Sequence, residues 1–210
     1  MPGRCKVDIR IIVTESGPLF HLASSSPRRT EILATLGIAF TAHGVDVDEQ
    51  REGDETPDTM VLRLASAKAA AGRLDRSEPV LAADTAVVID ELVFGKPRDK
   101  GDALAMLARL SGRRHRVMTG IALHWDGGQE TALSITEVSF REIDSDEALA
   151  YWQSGEPCDK AGAYAIQGRG GVFVESISGS YSGVMGLPVF ETAHLLASAR
   201  INIIESAVIA

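Results

Sequence analysis

The stretch Leu22-Ala-Ser-Ser-Ser-Pro-Arg-Arg29 (LASSSPRR) marks the point where a short apolar run gives way to a helical pattern. The apolar run predicts a buried strand over residues 19–23, and the pattern after it predicts a helix over residues 27–36. Ser26 and Pro27 are residue types expected at the N-cap and the first position of that helix. The stretch therefore predicts a strand-to-helix junction, the first unit of an α/β fold.

Arg28 and Arg29 put two fixed positive charges at the helix end where the macrodipole is already positive. This is unfavourable for the helix unless an anion binds there. Three serine hydroxyls, the free N–H groups of the first turn and two guanidinium groups could together hold a polyphosphate. The alternative is a serine cap followed by two solvated arginines, and the stretch alone leaves both interpretations open.

The rest of the chain interleaves strands with helices. Helical patterns cover residues 58–74, 101–110, 145–153 and 188–199, hairpin patterns cover 79–94 and 114–143, and a strand pattern covers 171–178. Because two hairpins interrupt the βαβ rhythm, we expect an α/β fold with a mixed sheet. With no linker in its 210 residues, the chain suggests an N-terminal extension over 1–18 and one two-lobed domain over 19–210.

Composition excludes some classes of partner. A net charge of −8 makes the chain a poor candidate for binding a nucleic-acid polymer, which requires a broad basic surface. No apolar run approaches the roughly 20 residues that span a bilayer, so we expect no membrane partner. Cys5 and Cys158 form no spaced ligand set and are expected to be free thiols in a reducing compartment, the cytoplasm.

Asp84 interrupts an apolar strand in the segment Ala82-Ala-Asp-Thr85. A buried carboxylate needs a cation, a metal ion or hydrogen-bond donors beside it. A strand-borne aspartate facing a cleft suits a metal ligand or a general base, whereas an ordinary hydrogen-bonded structural aspartate is the alternative.

Other candidates are weaker one by one. Lys96 lies in a Gly-Lys-Pro turn, and Lys68 lies on a helix face of small residues that would let it reach into a cleft. The acidic residues of 45–49 could bind a hard cation, and Gln167 offers both donors and an acceptor for reading a base edge. The lysines could instead be solvated and residues 45–49 a polar edge strand, and the segment around Gln167 is not specific by itself.

Taken in order along the chain, these segments resemble the Maf family of nucleotide pyrophosphatases from about Leu19 to Ala199. The matching motifs are Ser24-x-Ser26-Pro-Arg-Arg, Asp48-Glu49, Lys68, Ala83-Asp-Thr85, Gly95-Lys-Pro97, Asp159-Lys-Ala-Gly-x-Tyr-x-Ile-Gln-Gly168 and Gly186-Leu-Pro188.

The resemblance implies an elongated mixed sheet flanked by helices, with two lobes and a central cleft, as in the inosine triphosphate pyrophosphatases. It also implies hydrolysis of a nucleoside triphosphate to the monophosphate and pyrophosphate with a divalent metal, Mg²⁺ or Mn²⁺. Family members that act on dTTP and UTP typically carry the Asp-Lys-Ala-Gly and Gly-Ser-Tyr-Ser patterns, which this chain matches. Members that act on 7-methyl-GTP typically differ at both places.

The resemblance assigns a role to each site residue. Asp84 is the expected general base and, with Glu49, a metal ligand. The expected phosphate ligands are Ser24, Arg28, Arg29, Lys68 and Lys96, of which Lys68 and Lys96 act at the catalytic centre. The positions associated with substrate choice are Arg28, Thr85 and Gln167.

A nucleotide-binding regulator of cell division and septum formation, with little catalysis, is the competing hypothesis. A pure binding module needs the cations but not both Asp84 and Glu49, so their joint presence favours an enzyme. A homodimer is what the resemblance suggests, not something that the residue pattern indicates.

Overall fold

The computed structural model describes residues 17–74 and 76–206. Its strands are β1 Phe20–Leu22, β2 Phe40–Ala42, β3 Val80–Ile89, β4 Leu92–Phe94, β5 Arg114–Trp125, β6 Gly128–Phe140 and β7 Val174–Ser178. Its helices are α1 Pro27–Thr35, α2 Pro57–Arg73, α3 Lys100–Leu110, α4 Ser145–Gln153, α5 Tyr181–Met185 and α6 Val189–Ser198. Short 3₁₀ segments cover Glu156–Asp159, Ala161–Ala163 and Arg169–Phe173.

All seven strands form one mixed sheet in the order β2-β1-β3-β5-β6-β7, with β4 beside β3. The β1–α1–β2 crossover makes β1 and β2 parallel, and β1 is also parallel to β3. The two hairpins make the β3–β4 and β5–β6 pairs antiparallel, and the β3–β5 and β6–β7 pairs are antiparallel as well. The prediction of an α/β fold with a mixed sheet flanked by helices is confirmed.

One edge of β3 is interrupted at its centre. On that edge, β1 pairs with Val80 and Leu81, and β4 pairs with residues 87–89. Among the described residues, positions 83–86 therefore have a strand partner on the β5 side alone. We call the opening between β1 and β4 the cleft.

The two faces of the sheet are packed differently. Because strand side chains alternate, Leu81 and Val87 point to one face, and Val80 and Val88 point to the other, against α2. The first face carries two apolar clusters, one containing Phe20, Leu33, Leu81, Leu123, Leu187 and Leu195, the other containing Val87, Phe94, Leu107, Val117, Phe140 and Tyr164. These clusters lie to either side of the interrupted edge, in agreement with the expected two-lobed arrangement.

Two local predictions differ from the structure, and a third lies partly outside the described residues. Residues 45–49, whose alternative interpretation was an edge strand, form a loop, and the edge strand is instead β2, only three residues long. The strand expected over 171–178 begins at Val174, after a 3₁₀ turn. Residues 1–16 of the expected extension lie outside the described residues, so the domain division stays a prediction.

No helix within residues 17–74 and 76–206 is long and apolar enough to cross a membrane.

Gly120 of β5 provides a test of how closely α2 packs on the sheet. A Cβ atom there would lie 2.6 Å from the carbonyl carbon and oxygen of Val61, which are helix backbone. We expect Gly120→Ala to lower the free energy of unfolding by about 2–3 kcal/mol, since the helix must move. Urea denaturation measures this. Gly95→Ala, whose added Cβ meets open space, should change stability by no more than about 0.5 kcal/mol; equal effects would contradict the packing argument.

His115 predicts an acid-sensitive stability. It is buried beside Tyr164, with its Nε2 atom 2.9 Å from the Tyr164 hydroxyl oxygen. Burial lowers the pKa of His115 to about 4, against 6.5 for the unfolded residue. The unfolded state therefore binds the proton first, so stability is fully present above about pH 6.5 and is lost as the pH falls through about 4.

We expect wild type to lose about 2 kcal/mol more than His115→Gln between about pH 7.5 and about pH 5. Urea denaturation of both proteins at the two pH values measures the difference. Equal losses of unfolding free energy in the two proteins would show that His115 has the same pKa in the folded and unfolded states.

Candidate active site

The cleft encloses a cavity of about 780 Å³ at the interrupted edge of β3. The walls come from the β1–α1 junction, α2, β3, the turn after β4 and the segment 159–167. All nine residues that the sequence analysis selected line it: Ser24, Arg28, Arg29, Glu49, Lys68, Asp84, Thr85, Lys96 and Gln167. The structure thus brings the predicted site together, while the role of each residue stays a prediction.

Lys68 joins the two acidic residues of the site. Its Nζ atom lies 2.7 Å from Oδ1 of Asp84 and 2.6 Å from Oε1 of Glu49. Alanine neighbours such as Ala65 and Ala69 pack α2 against β3, so the lysine stem is buried and only its end reaches the cleft. Asp84 points to the same face because it is an even-numbered residue of β3. The charge of this half-buried carboxylate is therefore paired, as its partial burial requires.

Glu49 is exposed but electrostatically coupled to this pair. The hydrogen bond from Lys68 holds the pKa of Glu49 below its usual value, against the opposing effect of partial burial, and Lys96 and Arg29 add to the lowering. Glu49 is therefore ionised at neutral pH. Lys96 itself is exposed on the rim, where its ammonium group can meet an anionic ligand.

Arg29 is bound on three sides by the protein. Its Nη1 atom donates to Ser24 Oγ (3.1 Å), its Nη2 to Thr85 Oγ1 (3.2 Å) and its Nε to the Gly186 carbonyl (2.8 Å). Burial lowers the pKa of its guanidinium group, and the negative charge of Asp84 opposes that effect. These bonds tie α1, β3 and the α5–α6 turn together, so Arg29 supports the cleft floor as well as adding charge to it.

Thr85 and Ser24 belong to the same network. Thr85 points away from Asp84, to the opposite face, where its Oγ1 lies 3.0 Å from Thr119 Oγ1. Ser24 Oγ also accepts from the backbone N–H of Ser26 (3.2 Å). Ser26 is the N-cap residue by position, but its side chain makes no capping hydrogen bond. Ser26 therefore occupies the predicted N-cap position but does not make the expected capping hydrogen bond. The hydroxyl that accepts from a backbone N–H at this helix start belongs to Ser24.

Arg28, in contrast to Arg29, points toward the far wall. Its Nη1 atom lies 3.6 Å from Oδ2 of Asp159, which also pairs with Lys160. Burial raises the pKa of Asp159, but Lys160 and Arg28 outweigh it and hold the pKa below its usual value. Lys160 is a cleft cation to which sequence reasoning gave no role. The signal was its place in the Asp-Lys-Ala-Gly motif, but the motif does not reveal which way a lysine points.

The acidic pair fits a divalent metal ion. Within the described residues no group of three or more His, Cys, Asp or Glu side chains converges. Glu49 and Asp84, which both contact Lys68, are the pair of carboxylates in the cleft that could offer oxygen ligands. Mg²⁺ typically takes one or two carboxylates and fills its remaining positions with water and substrate phosphates. Two carboxylates at the edge of a phosphate-sized cleft match that pattern.

The described features define an α/β protein with a cationic ligand-binding cleft at a sheet edge. Comparison with known sequences identifies the family. The chain belongs to the Maf family: the model described as "Maf-like protein" matches residues 19–199, so the family resemblance drawn from the motifs is confirmed.

Curated relatives are similar over nearly the whole domain. The chain is 52% identical over 181 residues to a dTTP/UTP pyrophosphatase of Saccharophagus degradans, covering 84% of this chain and 86% of the relative. It is 50% identical over 189 residues to a dTTP/UTP pyrophosphatase of Alkalilimnicola ehrlichii, covering 87% and 93%.

Solved structures give more distant similarities. The Ham1 protein of Staphylococcus aureus matches with a TM-score of 0.44 at 14% identity, covering 90% of this chain and 93% of that one. A nucleoside-triphosphatase, dITP/XTP pyrophosphatase, of Mycobacterium abscessus matches with a TM-score of 0.39 at 21% identity, covering 59% and 75%.

The contrast between the two arginines gives a stability test. Lysine has one ammonium group and cannot bridge Ser24, Thr85 and Gly186, so we expect Arg29→Lys to lower the free energy of unfolding by about 2–3 kcal/mol. Arg28→Lys is the matched control and should cost no more than about 0.5 kcal/mol, because its pair with Asp159 is partly solvated. Urea denaturation of both variants gives the comparison; equal losses would mean that the three Arg29 bonds add no stability.

Proposed function

We propose that this protein hydrolyses dTTP and UTP to the nucleoside monophosphate and pyrophosphate. The observation that carries the proposal is the Lys68 bridge between Asp84 and Glu49, which brings two carboxylates and an ammonium group together in a cleft lined by cations. Relatives 50–52% identical to this chain are named dTTP/UTP pyrophosphatases, which supports both the reaction and the substrates. Such hydrolysis would also keep modified pyrimidine nucleotides out of nucleic acids.

Asp84 is the residue we assign as general base. Its Oδ1 atom accepts the Lys68 hydrogen bond, so we assign Oδ2 to take a proton from the attacking water. The water oxygen then forms a bond to the α-phosphorus, and the bond from that phosphorus to the bridging oxygen breaks, releasing pyrophosphate. A positioned base of this kind contributes typically about 10²–10⁴-fold to the rate.

Cations around the cleft would neutralise the triphosphate. Lys96 is exposed on one rim, and Arg28 lies on the other with its guanidinium group near Asp159. Arg29 adds a buried positive charge at the start of α1, where free N–H groups also favour an anion. Fixed positive charges stabilise the negative charge that builds up on the leaving pyrophosphate.

Glu49 and Asp84 are the residues that would hold a divalent metal, Mg²⁺ or Mn²⁺. When bound, such an ion supplies further neutralisation of phosphate charge and makes the attacking water more acidic. Lys68, which contacts both carboxylates, would hold them close together.

Base selection is assigned to the wall opposite the acids. Gln167 is exposed there and carries an amide donor and an acceptor side by side. Thymine and uracil present an N–H donor flanked by carbonyl acceptors, which such an amide can pair with. The other positions expected to affect substrate choice are Arg28, which lies beside Asp159, and Thr85, which lies beside Arg29.

We further propose a cytoplasmic location and no nucleic-acid polymer as partner. Cys158 is an exposed free thiol, which suits a reducing compartment, and the net charge of −8 disfavours a phosphodiester backbone. The homodimer suggested by the resemblance remains a prediction.

Pyrophosphate release tests the reaction directly. The purified protein is incubated with each common ribo- and deoxyribonucleoside triphosphate and with 7-methyl-GTP, in the presence of Mg²⁺ or Mn²⁺. We expect release from dTTP and UTP, and we expect Asp84→Asn to lower kcat at least about 100-fold because the base is removed. Asp46→Asn, which neutralises an exposed acid of the 43–50 loop that does not line the cleft, should keep wild-type turnover.

Three outcomes would contradict the proposal. Near-normal turnover by folded Asp84→Asn would remove the general-base assignment. Release from 7-methyl-GTP alone would overturn the choice of substrate. Binding of nucleotides without release from any of them would support the regulatory hypothesis instead.

A further inference from the structure

The segment that carries Gln167 is fixed from behind by two polar side chains outside the cleft lining, buried Tyr151 and half-buried Glu156. Tyr151 of α4 is 5% exposed and donates its hydroxyl proton to Oε1 of Glu156 at 2.7 Å. The Tyr151 hydroxyl oxygen also accepts from the backbone N–H of Ala165 at 3.1 Å. We call Tyr151 and Glu156 the hub.

Glu156 binds the other end of the same segment. Its Oε2 atom accepts from the backbone N–H of Arg169 and its Oε1 from that of Gly170, both at 3.0 Å. Burial raises the pKa of Glu156, but these N–H groups and the Tyr151 hydroxyl outweigh it and hold the pKa below its usual value. The hub therefore grips the backbone on both sides of Gln167, at Ala165 and at residues 169–170.

Two glycines show how closely the segment follows the hub. A Cβ atom on Gly168 would lie 2.5–2.6 Å from the carboxylate of Glu156, and one on Gly170 would lie 2.5 Å from the Tyr151 hydroxyl. Neither site tolerates a side chain without displacing the hub. Glycine at positions 168 and 170 is thus required by contact with Glu156 and Tyr151.

Tyr151 is itself held in place by the core. Its ring packs edge-on against Phe173 with ring centroids 5.1 Å apart, inside the apolar cluster of α3 and α4. The chain of contacts therefore runs from that cluster through the hub to the turn at 165–170, and from the turn to the cleft.

We propose that Tyr151 and Glu156 are positioning residues for base selection, which act by fixing the backbone that presents Gln167 to the nucleotide base. This inference rests on the proposed function. A glutamine amide discriminates between bases only while its donor and acceptor stay in register with the base edge, and a displacement of a few tenths of an ångström weakens both bonds. The cations assigned to the phosphates lie on α1, α2 and the turn after β4. Of these, Arg28 also pairs with Asp159, which lies in the same 3₁₀ segment as Glu156.

Two substitutions disconnect the hub. Glu156→Gln replaces one carboxylate oxygen by an NH₂ group that faces a backbone N–H, so at least one of the bonds to residues 169–170 is lost. Tyr151→Phe keeps the ring against Phe173 and removes the hydroxyl between Ala165 and Glu156. Glu175→Gln, at an exposed carboxylate of β7, is the matched control for the charge change.

The measurement compares kcat/KM for dTTP with kcat/KM for dCTP, together with inhibition by inorganic tripolyphosphate, which has no base. We expect each hub variant to lower the dTTP-to-dCTP ratio at least about tenfold, mainly through KM for dTTP, because the base contacts are lost. The inhibition constant of tripolyphosphate should stay within about twofold of wild type. Glu175→Gln should match wild type in both measurements.

The failures are distinguishable. If wild type releases pyrophosphate from neither dTTP nor UTP, the proposed function fails, and the inference fails with it. If wild type prefers dTTP but the folded hub variants keep the same ratio, the inference alone is wrong. A rise in the tripolyphosphate inhibition constant equal to the loss for dTTP would also overturn it, because that indicates general damage to the cleft. If Glu156→Gln does not fold, Tyr151→Phe, which preserves the ring packing, decides.

Discussion

The site depends on one constraint: the central strand β3 pairs along its whole length on one edge and is left unpaired in the middle of the other. Full pairing with β5 keeps the strand straight and rigid. The interruption between β1 and β4 removes the neighbour that would otherwise fill the cleft. Side chains from both faces of β3 can then reach the same opening, whereas an uninterrupted sheet would keep the two faces apart.

Electrostatics in the cleft follows from that geometry. Lys68 reaches Asp84 from α2 on one face, and Arg29 reaches Thr85 from α1 on the other. A single charge is costly to bury, and an opposite charge beside it offsets part of that cost. The carboxylates at the centre of the cleft are therefore paired with Lys68. Lys96 and Arg28 lie farther out, where a polyanion would arrive.

Sequence alone predicted the elements whose patterns are local. The junction at 22–29, the 79–94 hairpin and the nine site residues needed only periodicity, turn residues and ordered motifs. β2 was missed because three residues carry too little pattern, and only pairing with β1 makes them a strand. The hub could not be predicted either: Tyr151 and Glu156 resemble ordinary helix and turn residues, and their contacts with residues 165–170 arise only from tertiary packing.

The adjacency of Asp84 and Thr85 on one strand has a consequence for sheet register. Side chains repeat every two residues along a strand, so a slip of β3 by one position would exchange the faces of the two residues. The carboxylate would then face Arg29, and the hydroxyl would face Lys68. Nine consecutive pairs with β5, from Val80 to Val88, oppose that slip. Backbone pairing between β3 and β5 thus determines that the carboxylate faces α2 and the hydroxyl faces α1.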